Sequence, residues 1–365
     1  MIRAVIVDDE APARERLRDL LLPHSVNVVG EAGDGEEAMT RIDELQPDLV
    51  FLDIQMPALT GLEVASRLHA PRPRIVFCTA YDHFAIEAFE LHAVDYLLKP
   101  VNRERLARTV DRIRAELDEQ RRMSWERTEA GRTQRRLMPG DIVGDRLACA
   151  GSCQPADGVG GDYYDFLPMP GNRLGIALGD VSGKGMYAGL LAAALQARLQ
   201  AIIAHGPQSP GEVVGELNRL TAGTIEGNRF ATLFFAVFDP DASVLTYVNA
   251  GHPSAVVFSA SGDRRLLEAT APAVGLFSAT IFPEAVVPMS PGDLFATFSD
   301  GLTEAESPGG EVLGVDGVIR MLRHHRALGP RAIVDATLDD VRRFTADAPP
   351  SDDRTLVAAS VEGPR

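Results

Sequence analysis

Five short apolar runs, each followed by an amphipathic helical pattern, fill the first 120 or so residues and leave that stretch few folds to choose from. The runs are Ala4–Val7, Val26–Gly30, Leu49–Leu52, Ile75–Cys78 and Val94–Leu97. Helical periodicity lies near residues 11–22, 35–45, 60–69, 83–91 and 102–122. Regular strand–helix alternation calls for a parallel, doubly wound α/β sheet. In such a sheet the ligand site lies at the carboxyl ends of the strands.

Those ends carry the chemistry. Asp8 and Asp9 close the first run and Asp53 the third, Thr79 sits at the end of the fourth, and Lys99 follows the fifth. Parallel topology brings the three carboxylates into one crevice, where they repel unless a cation neutralises them. Hard oxygen ligands of this kind suit Mg²⁺. A carboxylate beside Mg²⁺ can attack phosphorus and form an acyl phosphate, and Thr79 and Lys99 can supply the hydroxyl and ammonium that the transferred charge needs. Lysine is informative here because the chain has only two, Lys99 and Lys184, among 36 basic residues. A compact ammonium is not replaceable by a planar guanidinium at a tight phosphate site.

The wording of these segments goes further. Val7-Asp8-Asp9-Glu10, Leu52-Asp53-Ile54-Gln55-Met56-Pro57, Thr79-Ala80-Tyr81 and Asp95-Tyr96-Leu97-Leu98-Lys99-Pro100 resemble the flavodoxin-like receiver domain of two-component response regulators. The last segment looks most like receivers joined to LytTR DNA-binding domains. The resemblance implies that Asp53 accepts phosphate from a sensor histidine kinase. It implies that Asp8, Asp9, Asp53 and the backbone carbonyl of Gln55 hold Mg²⁺. Thr79 and Lys99 would grip the phosphoryl group, and Tyr96 would be the aromatic switch residue.

The receiver is expected over residues 1–120, overlapping a helical linker over 101–136 that is rich in arginine and glutamate. Leu106, Val110, Ile113 and Leu117 form a 4-3-4 seam that weakens beyond, at Gln120 and Ser124. Two uses of that seam are open: a short coiled coil pairing two chains as a homodimer, or the last receiver helix packing on its own sheet. Gly131 interrupts the helical pattern as a junction or hinge. Residues 137–365 read as an α+β layered domain. Strands such as Leu174–Leu178, Ala231–Phe238, Val244–Val248, Ala255–Phe258, Leu294–Phe298 and Leu356–Ala359 alternate with turns, and helical patterns lie near 186–204, 210–222, 315–325 and 330–345.

A second set of acids stands in this region. Asp162 follows Gly160-Gly161, and Asp180 ends an apolar strand before the glycine-rich turn Ser182-Gly183-Lys184-Gly185. Asp300 ends another strand, and Asp352-Asp353 precedes the last one. Any one Asp-Gly pair is an ordinary turn. Four acids in strand-end settings, with no serine or cysteine nucleophile motif beside them, suggest an all-oxygen metal site that clamps a phosphate. Gly160-Gly161-Asp162-Tyr163-Tyr164-Asp165, Gly179-Asp180-Val181-Ser182-Gly183-Lys184-Gly185, Asn249-Ala250-Gly251-His252-Pro253, Asp300-Gly301-Leu302-Thr303-Glu304 and Asp352-Asp353-Arg354-Thr355 resemble PPM-type serine/threonine phosphatases. The likeness is to the branch with the sporulation stage II phosphatase and the stress-response sigma-factor regulators, across roughly residues 134–361.

That resemblance implies a β-sandwich flanked by helices. It implies two Mn²⁺ or Mg²⁺ ions held by Asp162, Asp180, the Val181 carbonyl, Asp300 and Asp352, with Asp353 counted in the same set. Phosphoserine or phosphothreonine would be hydrolysed directly, with no phosphoenzyme. Lys184 is a candidate substrate contact. His252 reads as a structural residue of its motif, and Tyr163 and Tyr164 as core or wall. Ser299 stands where the family usually has threonine, and Met186-Tyr187 where small residues or proline are commoner.

A formal net charge of −16 disfavours nucleic-acid binding, and residues 140–365 carry 27 acids against 16 basic side chains. Cys78, Cys149 and Cys153 fit neither a zinc site nor a disulfide framework. The first residues lack the pattern of a signal peptide, and no apolar run approaches a membrane span. The joint expectation is a cytoplasmic response regulator with a protein phosphatase output. Its substrate would be a phosphorylated STAS-domain antagonist in a sigma-factor pathway, dephosphorylated under the control of Asp53. A rival reading is a non-catalytic, phosphorylation-gated adaptor.

Overall fold

All five apolar runs are parallel strands in the computed structural model, which describes residues 1–69, 72–81, 83–144, 146–206, 209–222, 229–253 and 255–363. The chain divides into two compact units, Met1–Ser124 and Trp125–Arg365. The first is built in the order β1 (Ile2–Val7), α1 (Ala11–Leu21), β2 (Val26–Ala32), α2 (Gly35–Leu45), β3 (Leu49–Leu52), α3 (Gly61–Arg67), β4 (Arg74–Thr79), α4 (Ala85–Glu90), β5 (Asp95–Leu98) and the portion through Ser124 of α5 (Arg103–Leu137), whose remainder belongs to the second. The sheet order is β2-β1-β3-β4-β5, and every pair is parallel.

Alternate residues along each strand face opposite layers. Val5, Val7, Val50, Leu52, Ile75 and Phe77 pack with Ala38, Ile42 and Val64 on one face. Ala4, Ile6, Phe51, Val76 and Cys78 pack with Leu17 and Leu21 on the other. Leu106, Val110, Ile113 and Leu117 belong to that second face and are buried there. The 4-3-4 seam is therefore the inner face of the last helix against its own sheet. Those four side chains are not free to line a coiled coil. Gly131 does not break α5, which runs unbroken through it.

Asp95 fastens β5 to α5. Its carboxylate, 6 % exposed, accepts hydrogen bonds from Thr109 Oγ1 and Arg105 Nη2, both at 2.6 Å, and lies 3.2 Å from Arg112 Nη2. Burial works to raise its pKa, but Thr109, the Tyr96 N–H and Arg105 outweigh it and hold the carboxyl below its ordinary value. The contribution is thus present above the unfolded-state value of 3.8 and lost as pH falls through the lower folded-state value. Asp95→Ala is expected to cost the receiver roughly 1–3 kcal/mol, read from the urea midpoint at pH 7, because it removes the buried carboxylate that Thr109 and Arg105 bond.

The second unit continues with β6 (Ile142–Val143), β7 (Leu147–Gln154), β8 (Asp162–Met169), β9 (Arg173–Val181), α6 (Met186–Ala204), α7 (Pro210–Thr221), β10 (Ala231–Asp239), β11 (Val244–Ala250), β12 (Ala255–Phe258), β13 (Arg264–Leu267), β14 (Ala285–Pro288), β15 (Leu294–Phe298), α8 (Asp300–Thr303), α9 (Gly314–His325), α10 (Pro330–Phe344) and β16 (Arg354–Val361). Two antiparallel sheets form, β14-β11-β10-β9-β8 and β13-β12-β15-β16-β7-β6.

The period of two along β10 explains the layering. Phe234, Ala236 and Phe238 meet Phe295, Val357 and Ala359 of the facing sheet. Leu233, Phe235 and Val237 turn the other way, onto Leu195, Leu199 and Val213 of α6 and α7. The outer face of the second sheet, with Val256, Phe298 and Ala358, is covered by Ile319, Leu322, Val334 and Val341 of α9 and α10. The result is a sandwich of two sheets between two helical layers. Helix α6 is long and apolar enough to cross a membrane by composition alone. One face of it, with Leu191, Leu195 and Leu199, is buried in this core.

Candidate functional site

In the first unit, β1 and β3 end side by side, so Asp8 and Asp53 emerge together. Asp53 N–H donates to Val7 O at 2.9 Å. Asp8, Asp9 and Asp53 each offer an oxygen, and the three oxygens lie within 4.8 Å of one another. Lys99, following β5, is anchored by its own N–H on Thr79 O at 2.8 Å. Its Nζ sits 2.7 Å from Asp8 Oδ2 and 2.5 Å from Asp53 Oδ2. Burial pushes the Asp8 carboxyl up, with Lys99 and the Glu10 N–H opposing it. Burial also works to lower the Lys99 pKa, but its bonds to Asp53 and Asp8 outweigh that and raise it.

The second Asp53 oxygen, Oδ1, accepts from Ile54 N–H at 2.6 Å and Gln55 N–H at 3.4 Å. Thr79 is fully buried beside this group. Tyr96 sends its hydroxyl to Tyr81 O, two residues past the end of β4. Asp8, Asp9, Asp53, Thr79 and Lys99 thus gather at the carboxyl ends of the strands. Three clustered hard oxygens, one of them exposed, fit a divalent cation.

In the second unit the acids stand where both sheets end. Asp162 of β8 is directly opposite Asp180 of β9, a placement that repels when both are ionised. Burial raises the Asp180 carboxyl to about 7, helped by Asp300 and Asp352, while a hydrogen bond with Asp162 opposes it. Burial and Asp180 push Asp162 up as well. Asp300 is raised by burial, then by Asp352 and Glu304. Asp162 Oδ2 accepts from Thr355 Oγ1 at 2.5 Å, tying the two sheets together.

Gly161 leaves room beside this group. A Cβ there would lie 2.6 Å from Val181 O and 3.3 Å from Asp180 Oδ1. Crowded carboxyls raised by one another, next to a backbone carbonyl kept clear by glycine, are a donor set that divalent cations fit.

Asp353 turns its carboxylate to backbone N–H groups. Its Oδ1 accepts from Ala156 N–H at 2.9 Å, and its Oδ2 from Gly161 N–H at 2.7 Å and Asp162 N–H at 3.4 Å. Both oxygens are occupied in holding the segment that leads into β8. Lys184 is 62 % exposed and pairs with Asp352 Oδ2 at 3.0 Å while donating to Ser351 O at 2.6 Å. Tyr187 lies under the Arg229 guanidinium, whose Cζ is 3.9 Å from the ring centre.

Ser299 keeps the hydroxyl its position needs: it donates to Asp353 O and accepts from Thr355 N–H. His252 is buried, shares a 2.7 Å hydrogen bond with Thr232 Oγ1, and has its pKa lowered to about 3 by burial. A neutral imidazole held this way is part of the scaffold. Tyr163 and Tyr164 are core side chains. Thr355 lies in the Asp352-Asp353-Arg354-Thr355 motif, but its contact with Asp162, like that of Gln134 with Gly160, is not singled out by the sequence.

The match to the family of Stage II sporulation protein E extends over residues 170–362, just over half of the chain. The chain belongs to the SpoIIE family. Residues 4–111 match the response regulator receiver domain, so this SpoIIE member carries a receiver ahead of its sandwich. The RsbU and RsbW domains from Mycobacterium tuberculosis superpose with a TM-score of 0.55 at 25 % identity, covering 63 % of this chain and 64 % of that one. The SiaA PP2C domain of Pseudomonas aeruginosa superposes at 0.60 and 21 % identity, covering 66 % and 98 %; the sandwich is thus a PP2C fold.

The receiver is 55 % identical over 119 residues to an uncharacterized response regulatory protein of Yersinia pestis, covering 32 % of this chain and 50 % of that protein. It is 49 % identical over 122 residues to the transcriptional regulatory protein BtsR of Escherichia coli, covering 33 % and 51 %. The chain spans about half the length of the curated relatives it matches.

Proposed function

We propose that this chain is a response regulator whose output is metal-dependent hydrolysis of phosphoserine or phosphothreonine on a protein, controlled by phosphorylation of Asp53. The observation that carries the output is the meeting of Asp162, Asp180, Asp300 and Asp352 at one end of the sandwich, where burial and acidic neighbours raise the Asp162, Asp180 and Asp300 carboxyls. Those four, with the Val181 carbonyl, would hold two Mn²⁺ or Mg²⁺ ions. Bound there, divalent cations supply charge for the phosphoryl oxygens and acidify water. Thr355 and Asp353 keep Asp162 aimed, and the neutral His252 donates no proton.

In the receiver, Asp8, Asp9, Asp53 and the Gln55 carbonyl would hold Mg²⁺. Asp53 is the phosphoacceptor, served by a sensor histidine kinase. Thr79 and Lys99 steady the phosphoryl group, and Tyr96 responds to it. The reading places the chain in the cytoplasm. Its substrate is a phosphorylated STAS-domain protein, and Lys184 stands at the rim where that protein docks. The acidic second unit supports an output directed at protein rather than DNA.

The test is Mn²⁺-dependent phosphate release from a phosphorylated STAS-domain protein, with and without beryllofluoride on the receiver. We expect turnover that beryllofluoride changes several-fold and that Asp53→Ala makes insensitive to it. A folded protein that releases no phosphate under any of these conditions is not a phosphatase. Turnover indifferent to Asp53→Ala removes the control.

A further inference from the structure

Beside the acid cluster of the second unit, the first turn of α6 and the residues entering β10 are fastened to each other. Ser182, two residues after Asp180, bonds Phe230 twice. Its N–H donates to Phe230 O at 3.0 Å, and its hydroxyl accepts from Phe230 N–H at 3.0 Å. Arg229 is thereby held next to the turn that opens α6. Its guanidinium lies on the Tyr187 ring, with Cζ 3.9 Å from the ring centre. Both side chains are exposed, Tyr187 at 41 %. Leu190, three residues on and so beside Tyr187 on the helix surface, is exposed as well.

A guanidinium laid on an aromatic ring is held by its face and keeps its N–H edge free. That edge is the part that grips a carboxylate through two parallel hydrogen bonds. Among the described residues Arg229 has neither a hydrogen bond nor an ion pair. Lys184, the other cation at this rim, is already taken by Asp352 and Ser351. In a unit with more acids than bases, a cation fixed in place without an acid of its own is complementary to an acid from outside.

The backbone sets how far this cation stands from the acids. Asp180 pairs with Thr232 across β9 and β10, and Arg229 is three residues from Thr232. Three extended residues span roughly 10 Å, so a substrate chain lying in the cluster reaches Arg229 about two to four residues from its phosphorylated side chain. We propose that Arg229, stacked on Tyr187, is a specificity-determining residue that reads an acidic side chain at that distance from the phosphoserine or phosphothreonine of the protein substrate. The proposal rests on the phosphatase reading for its hydrolytic consequence. Tyr187 stands where small residues or proline are commoner, so the platform is a property of this chain.

The test uses the full chain with Mn²⁺ and two phosphoserine peptides that differ only in carrying aspartate or asparagine about three residues to either side of the phosphoserine. The aspartate peptide is expected to have about tenfold higher kcat/KM at low salt, carried by KM, and the difference should shrink as salt rises. Arg229→Ala should bring the ratio of the two peptides close to one. Tyr187→Leu, which keeps an apolar side chain but removes the ring face, should fall between. Arg229→Glu should turn the preference toward a third peptide with lysine at the same positions. Each ratio is taken within one variant, so a loss of folded protein does not imitate it. The same peptides made with a phosphonate analogue of phosphoserine, which is not hydrolysed, should show the same preference in Kd by fluorescence anisotropy. A wild type that treats the aspartate and asparagine peptides alike, or a preference that survives Arg229→Ala, overturns the proposal, and equal hydrolysis of the two leaves the phosphatase reading standing. A preference in Kd that depends on Arg229, in a protein that hydrolyses nothing, upholds the proposal and removes the phosphatase reading instead.

Discussion

Asp180→Asn is expected to abolish metal-dependent phosphate release, by more than about a hundredfold, and at the same time to make the metal-free protein more stable near pH 8. The first effect follows from losing a charged oxygen at the centre of the acid cluster, where bound cations supply several kcal/mol of charge stabilisation. The second follows from the cost of the charge itself. Burial, Asp300 and Asp352 raise the Asp180 carboxyl to about 7 from 3.8. A carboxyl raised on folding binds its proton more tightly in the folded state. Its share of stability is therefore full below the unfolded value and is lost as pH climbs from about 4 to about 7.

Asparagine has the shape without that loss. Thermal melts in chelator at pH 6 and pH 8 should show the wild type falling more steeply with pH than the variant, and added Mn²⁺ should reverse the order of the two at pH 8. A variant that retains more than a tenth of the activity would remove Asp180 from the site.

Lys99→Ala is expected to be nearly as disruptive in the other unit. Its ammonium lies between two carboxylates that are 5 % and 8 % exposed. Removing it leaves two buried like charges facing each other, a loss on the order of 3 kcal/mol when no cation replaces it. Saturating Mg²⁺ should restore part of that loss in a urea titration, because the same oxygens can pair with the metal. Phosphoryl transfer to Asp53 from acetyl phosphate should fall with Lys99→Ala and disappear with Asp53→Asn. Lys99→Arg should rescue the stability better than the transfer. A guanidinium keeps the charge but cannot place one compact donor 2.5 Å from Asp53 and 2.7 Å from Asp8 together. Equal transfer by lysine and arginine would show that Lys99 only balances charge.

The receiver was legible because its strands are short, apolar and closed by their own functional residues. Reading β1 or β3 to its end is reading Asp8 or Asp53. The sandwich was less so. β7, whose run Leu147-Ala148-Cys149-Ala150-Gly151-Ser152 is small and mixed, and β8, whose Asp162 and Asp165 are buried acids, do not announce strands by alternation. They are held by pairing with β16 and β9 and by polar groups that only tertiary contact can satisfy. The seam from Leu106 to Leu117 was ambiguous for a different reason. An inner helix face and a coiled-coil face share nearly the same period, and only the apolar sheet beneath decides between them.

Gly131 shows the same limit. Its low helix propensity signals a break, whereas the fold uses its missing side chain to let the Gly158 carbonyl approach. Asp353 carries the character of a ligand in sequence, but three backbone N–H groups claim it.

One lysine at each acid cluster has a practical consequence. Beyond the amino group of Met1, the chain has two primary amines, and each reports on a different cluster. Lys99 is 20 % exposed and bound to two aspartates, whereas Lys184 is 62 % exposed and bound to one. An acylating reagent followed by mass spectrometry therefore reads two separable channels from a single sample. Protection at Lys99 follows events on Asp53, and protection at Lys184 follows whatever docks against Asp352. The scarcity of lysine makes the native chain its own two-site footprinting reporter, with no engineered label.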